Sequence, residues 1–132
     1  MKQIFVILLI ILAANISYAG EIDLGTCKNF DEYLKNCKPI NCSFKLPYNT
    51  VSATVQLLII TEKNNKCYYR QFAQFQSSTL TYAVQMKYDC ILSEAGKKEV
   101  LKGFEDFKAG DDSVYRKNPR DGALKSECKI RD

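Results

Sequence analysis

The chain has no histidine and no tryptophan, only three prolines and six glycines in 132 residues, and little excess charge, with 19 basic and 15 acidic side chains. Without histidine there is no imidazole for a Ser-His-Asp triad, a proton shuttle or a zinc ligand. There is no glycine-rich phosphate loop, no C-x-x-C redox pair and no G-x-S-x-G around a serine. The charges that are present alternate in sign along the chain, which reads as a solvated surface rather than a nucleic-acid stripe, so no nucleic-acid partner is expected. What remains is an ordinary globular composition, 46% hydrophobic and 26% charged, of a length that holds one domain.

One long apolar run exists, at the N-terminus. Met1-Lys2-Gln3 is a short basic start, Ile4 to Ala14 is uninterrupted and apolar, and a more polar segment ends in Ser17-Tyr18-Ala19. Small residues at Ser17 and Ala19 suit a signal peptidase, so residues 1–19 are read as a cleaved signal peptide. The alternative, a retained anchor, needs about 20 apolar residues, more than this run supplies. Cys27 stands well beyond the cut, so no lipoprotein anchor is expected. The mature chain should be exported, periplasmic or secreted, with no membrane contact after cleavage.

Beyond the leader the periodicity changes from helix to strand and back. Asn29-Phe30-Asp31-Glu32 resembles a capped helix start, and Phe30, Tyr33, Leu34 and Cys37 share a helical face that Pro39 ends. Ile40 to Leu46, Val51 to Thr61, Cys67 to Phe75 and Leu80 to Cys90 alternate as strands. Lys63 to Lys66 is a hairpin turn in which Asn tolerates positive φ. Ser93 caps a second helix to about Lys108 with an apolar stripe of Val100, Leu101, Phe104 and Phe107. Gly96 and Gly103 weaken this helix, and Gly110 stops it. The expected fold is α+β: a small antiparallel meander of three to four strands flanked by an N-terminal and a C-terminal helix, forming one domain over 20–110. Residues 111–132 are expected to be an extended polar tail, tethered only if Cys128 is bridged.

Six cysteines in an exported chain imply three disulfides. If the third strand turns between Ser78 and Thr79, Cys67 lies opposite Cys90, Tyr69 opposite Tyr88 and Phe75 opposite Tyr82, which favours a Cys67–Cys90 bridge. Cys37 and Cys42 then close a loop around Pro39, and Cys27 pairs with Cys128. A rival set links Cys27 or Cys37 to the sheet. The closest spacing is a single C-x₄-C, unlike a zinc site with two close pairs, so neither a metal nor another cofactor is expected.

No constellation of residues points clearly to catalysis. Asp31-Glu32 and Asp111-Asp112 are adjacent acids of the kind a glycosidase would need, but the first pair suits a helix N-terminus and the second a loop. Ser43 with Lys45, and Ser93 with Lys97, are the Ser–Lys combinations; a strand face and a helix cap explain them. Asn41-Cys42-Ser43 matches a glycosylation acceptor, which matters only in a eukaryotic secretory route. One row stands out. Tyr68, Arg70 and Phe72 share the face opposite Cys67, an aromatic–Arg–aromatic surface that either binds a partner or is covered by the tail or by residues 40–46.

Cys37-Lys38-Pro39-Ile40-Asn41-Cys42-Ser43-Phe44, followed by Lys66-Cys67-Tyr68-Tyr69, resembles small exported bacterial proteins of unassigned function, in which a C-K-P-x-x-C-x-F turn precedes a sheet with further cysteines. The resemblance spans roughly residues 30–90, implies a periplasmic location and transfers no site residues. The function expected from the sequence is binding rather than catalysis: an accessory protein of the envelope or secreted space, its partner another protein. The alternatives are an inhibitor of a lysozyme- or protease-type hydrolase, acting through Lys63 to Lys66 or Ser77 to Thr79, and a small hydrolase with a carboxylate or Ser–Lys site.

Overall fold

A computed structural model describes residues 22–48, 51–64, 66–77, 83–116 and 122–131, leaving aside the side chains at 62, 63 and 83. The expected leader at 1–19, the turn at Ser78 and Thr79, and Leu80 and Tyr82 lie outside these residues.

The described elements are α1 (Phe30–Lys35), β1 (Ile40–Lys45), β2 (Val51–Lys63), β3 (Lys66–Ser77), β4 (Ala83–Leu92), α2 (Glu94–Lys108), a 3₁₀ turn (Ser113–Arg116), α3 (Gly122–Glu127) and β5 (Cys128–Arg131). The strands form one antiparallel sheet in the order β1-β2-β3-β4-β5. The fold is thus α+β with helices against the sheet, but with five strands rather than three or four. The extra strand comes from the segment expected to be an extended tail, which also forms the 3₁₀ turn and α3. Cys128-Lys129-Ile130-Arg131 alternates like a strand, yet it is too short to register as one until β4 is beside it.

Each helix ends where its local chemistry demands. After α1, Cys37 takes a left-handed conformation, with φ at 46°. Its N–H donates to Leu34 O and the N–H of Lys38 to Tyr33 O, the paired bonds of a Schellman stop. α2 ends the same way at Gly110, which donates to Phe107 O while Asp111 donates to Asp106 O. Ser93 caps α2, its hydroxyl accepting from Gly96 N at 3.2 Å. Asn29 occupies the cap position of α1 without a side-chain capping bond. The α2 glycines serve close packing: a Cβ at Gly103 would meet Val114 at 2.9 Å, and one at Gly96 would meet the Glu127 carboxylate at 2.7 Å.

The core lies between the helices and one face of the sheet. Phe30, Leu34, Phe104 and Phe107 from the helices meet Phe44, Val55, Leu57, Ile59 and Tyr69 from the strands, all at most 2% exposed. Phe44 stacks on Phe107 at 4.6 Å between centroids, and Tyr115 packs edge-on against both. Within this layer Gln71 is 3% exposed. It accepts from the Tyr69 hydroxyl at 2.7 Å and also hydrogen-bonds Tyr88, so its polar group is satisfied. Burial holds the phenols of Tyr69, Tyr88 and Tyr115 protonated well above their usual range.

The disulfides join Cys27 to Cys42, Cys37 to Cys67 and Cys90 to Cys128. None of the favoured pairs Cys67–Cys90, Cys37–Cys42 and Cys27–Cys128 forms; the rival set linked Cys27 or Cys37 to the sheet, and the structure ties both there. The cause is register. Cys67 pairs with Leu92, Tyr69 with Cys90 and Phe75 with Val84, a two-residue offset from the expected alignment. Such an offset leaves every side chain on its own face, so the hydrophobic pattern cannot detect it. The loops closed span 15, 30 and 38 residues, worth about 3–4 kcal/mol each in the chain-entropy account. Three disulfides fit an oxidising compartment. Among the described residues no helix is long and apolar enough to cross a membrane.

Two measurements check this interior. Cys128 is half-buried, whereas the other five cysteines are at most 5% exposed. Graded reduction followed by alkylation and peptide mapping should therefore open Cys90–Cys128 first; earlier opening of Cys37–Cys67 would contradict the packing. In alkali, the unfolded tyrosines ionise near pH 10 while the three buried phenols in the native state do not. The native state then binds more protons than the unfolded one. Stability should be undiminished below pH 10 and fall above it by about 4 kcal/mol per pH unit. Absorbance at about 295 nm should show these three phenols ionising only as the chain unfolds.

Candidate functional site

The helices occupy one face of the sheet, and the alternation of β3 sends Tyr68, Arg70 and Phe72 to the other. They form a row at about 7 Å spacing along the strand. Tyr68 lies between Thr61 of β2 and Ile91 of β4, Arg70 between Leu58 and Asp89, and Phe72 between Gln56 and Lys87. None of the described elements crosses this face. Residues 40–46 and the C-terminal segment, the two expected covers, supply the edge strands β1 and β5 and so lie in the plane of the sheet. Tyr68, Arg70 and Phe72 remain half-buried, and Ile60 and Ile91 are 45% and 43% exposed.

The row is held by charge and ring contacts. Arg70 donates to Asp89 through Nε at 2.7 Å and Nη2 at 3.5 Å. Arg131 approaches the same carboxylate at 3.4 Å. Lys87 Nζ stands 5.3 Å from the centre of the Phe72 ring, within cation–π range. Lys129 and Arg131 reach this face from β5, where they pair with Asp89 and Lys87. The sequence reading missed both because they fell in the presumed tail; the alternation of Cys128-Lys129-Ile130-Arg131 was the available signal.

The β1 edge is closed by the chain's own lead. Thr26 N donates to Ser43 O at 3.0 Å, and Ser43 N donates to Thr26 Oγ1 at 2.9 Å. That lacing blunts an otherwise open edge strand, and Cys27–Cys42 fixes it in place.

The candidate catalytic groups are dispersed into structural contacts. Asp31 pairs with Lys108 at 3.6 Å on the surface of α1 and α2. Asp112 accepts from the Tyr48 hydroxyl and pairs with Arg116 at 3.2 Å; burial, followed by the Asp112 bond, raises the Tyr48 phenol to about 12. Asp111 accepts from Ser113 N at 3.0 Å. Ser43 and Lys45 both point to the open face from β1, Ser93 is occupied as a helix cap, and Lys97 pairs with Glu94 at 2.7 Å. Ser126 and Lys129 have the S-x-x-K spacing, but Ser126 Oγ donates to Ala123 O and Lys129 belongs to the open sheet face. All six cysteines are bridged, leaving no thiolate for a metal or a redox step, and no group of three His, Cys, Asp or Glu side chains converges among the described residues. The hairpin tip named for an inhibitor carries Asn64 at φ 53°, and Ser77 ends β3.

Fold and face together define the class: a disulfide-stapled α+β domain whose sheet is covered by the described elements on one side only. No family model, curated protein or solved structure is found to match the chain.

The two sides of β3 should respond differently to substitution. Arg70→Ala breaks an ion pair about 40% exposed on both sides, and should lower stability by at most about 1 kcal/mol. Gln71→Leu, one residue away, strands two buried phenol hydroxyls and should cost about 2–4 kcal/mol. Urea unfolding of both variants checks this; equal losses would mean that the Arg70 face is buried too.

Proposed function

We propose that this chain is an exported, non-enzymatic accessory protein of the cell envelope or the secreted space, periplasmic or extracellular, and that it acts by binding another protein through the Tyr68, Arg70 and Phe72 face. The observation that carries this reading is that the row lies open on a rigid five-stranded sheet with no described element over it. Rigidity matters because a preformed surface loses little conformational freedom on association. Aromatic and arginine side chains contribute most per residue to such contacts. The signal-like N-terminus and the three disulfides support export.

The test uses the full-length precursor expressed in the cells that make it. Amine-reactive cross-linking should join the processed protein to a partner chain through Lys87 or Lys129, since both lie beside the row. The Tyr68→Ala/Phe72→Ala double variant should lose that cross-linked product while keeping all three disulfides and its far-UV circular dichroism. A folded double variant that still captures the same partner at the same yield would overturn the reading.

A further inference from the structure

Asp89 stands among more positive charge than it can neutralise. Arg70 and Arg131 contact its two oxygens at 2.7 and 3.4 Å, and Lys129 is its cross-strand neighbour on β5. Lys87 is paired directly across from Arg131, so two like charges face each other on one side of the sheet, an arrangement that weakens strand pairing unless an anion bridges it. Lys45 and Lys66 lie exposed on the same face. Asp89 is the sole carboxylate among the described side chains of that face.

The apolar groups narrow the occupant further. Leu58, Ile60, Tyr68, Phe72 and Ile91 are interleaved with these cations. A sulfated glycan has no apolar side chains to cover them. A nucleic acid has bases to stack on Tyr68 and Phe72, but nothing suited to Leu58, Ile60 and Ile91. A second copy of this chain would bring the same six cations against themselves. Only a protein segment that mixes carboxylates with apolar side chains matches both patterns.

Resting on the binding reading above, we propose that the open face takes an acidic segment of another protein. One carboxylate of that segment bridges Lys87 and Arg131 beside Asp89, and its apolar side chains cover Tyr68, Phe72 and Ile91. Arg70 holds Asp89 at 2.7 Å and Arg131 only at 3.4 Å, so Lys87 and the more loosely held Arg131 are the cations that turn to the incoming group. Electrostatic complementarity of this kind governs association rate and partner choice and weakens as salt rises.

The probe is a soluble peptide of repeating Glu-Leu-Glu-Gly units, titrated into the folded, disulfide-intact protein and followed by amide chemical shifts. Binding should shift the amides of Phe72, Lys87, Asp89 and Arg131 and weaken at least about tenfold between about 0.05 and 0.5 M salt. Replacing Glu by Gln in the peptide should weaken it by a similar factor, and so should Lys87→Gln/Arg131→Gln in the protein. The proposal is overturned if the Gln peptide binds as well, if a heparin oligosaccharide or single-stranded DNA binds more tightly than the acidic peptide, or if the shifts map to the helices. The two readings fail separately. A cellular partner lost from Tyr68→Ala/Phe72→Ala but held equally well by Lys87→Gln/Arg131→Gln, at any salt, removes the acidic partner and leaves the binding face standing.

Discussion

A single layer of aromatic side chains, Phe30, Phe44, Phe104, Phe107 and Tyr115, joins the helices to one face of the sheet, and the rest of the molecule follows from it. A chain of this length has helices enough to shield one face of a five-stranded sheet. The buried apolar positions of β1 to β4 therefore lie on that side, from Cys42 and Phe44 on β1 to Tyr88, Cys90 and Leu92 on β4. The three disulfides reinforce the same layer. Cys27–Cys42 holds the lead on β1, Cys37–Cys67 ties the end of α1 to β3, and Cys90–Cys128 ties β5 to β4. The opposite face is open for the same reason that the core is closed: the described helices all lie on the other side.

The C-terminal segment links this core to the open face. Its helix is docked by exchanged carboxylates: Glu127 accepts from Ser93 N at the start of α2, and Glu99 accepts from Ala123 N at 2.7 Å at the start of α3. Each negative group sits at the positive end of the other helix. That accounts for Glu127 Oε2 lying buried without a hydrogen-bond partner, since the helix field favours the charge even where no donor reaches it. With α3 anchored, β5 is delivered beside β4, and Lys129 and Arg131 join the charged cluster around Asp89. The composition of the open face thus depends on a docking event on the far side of the sheet.

Local patterns carried much of this into the sequence. The helix cap at Ser93, the stop at Gly110 and the positive φ at Asn64 each depend on a few neighbouring residues, and each was legible. So was the separation of Tyr68, Arg70 and Phe72 from Tyr69 and the core, because strand alternation needs no knowledge of the partner strand. The burial of Gln71 was less legible: it occupies a core-face position by alternation, but only the nearby phenols of Tyr69 and Tyr88 make a buried amide tolerable there. The fifth strand was not legible, since four residues form a strand only when β4 offers its edge.

The sequence by itself determined which side of the first four strands faces inward, where the first two helices begin and end, and that six cysteines would pair, because each depends on spacing along the chain. Tertiary structure alone decided which cysteines meet, that Lys129 and Arg131 stand beside Asp89, and that the described helices all lie on one face of the sheet. These depend on register and docking: a two-residue slip preserves every facing, so alternation is blind to it, and only the packed strands distinguish one alignment from the other.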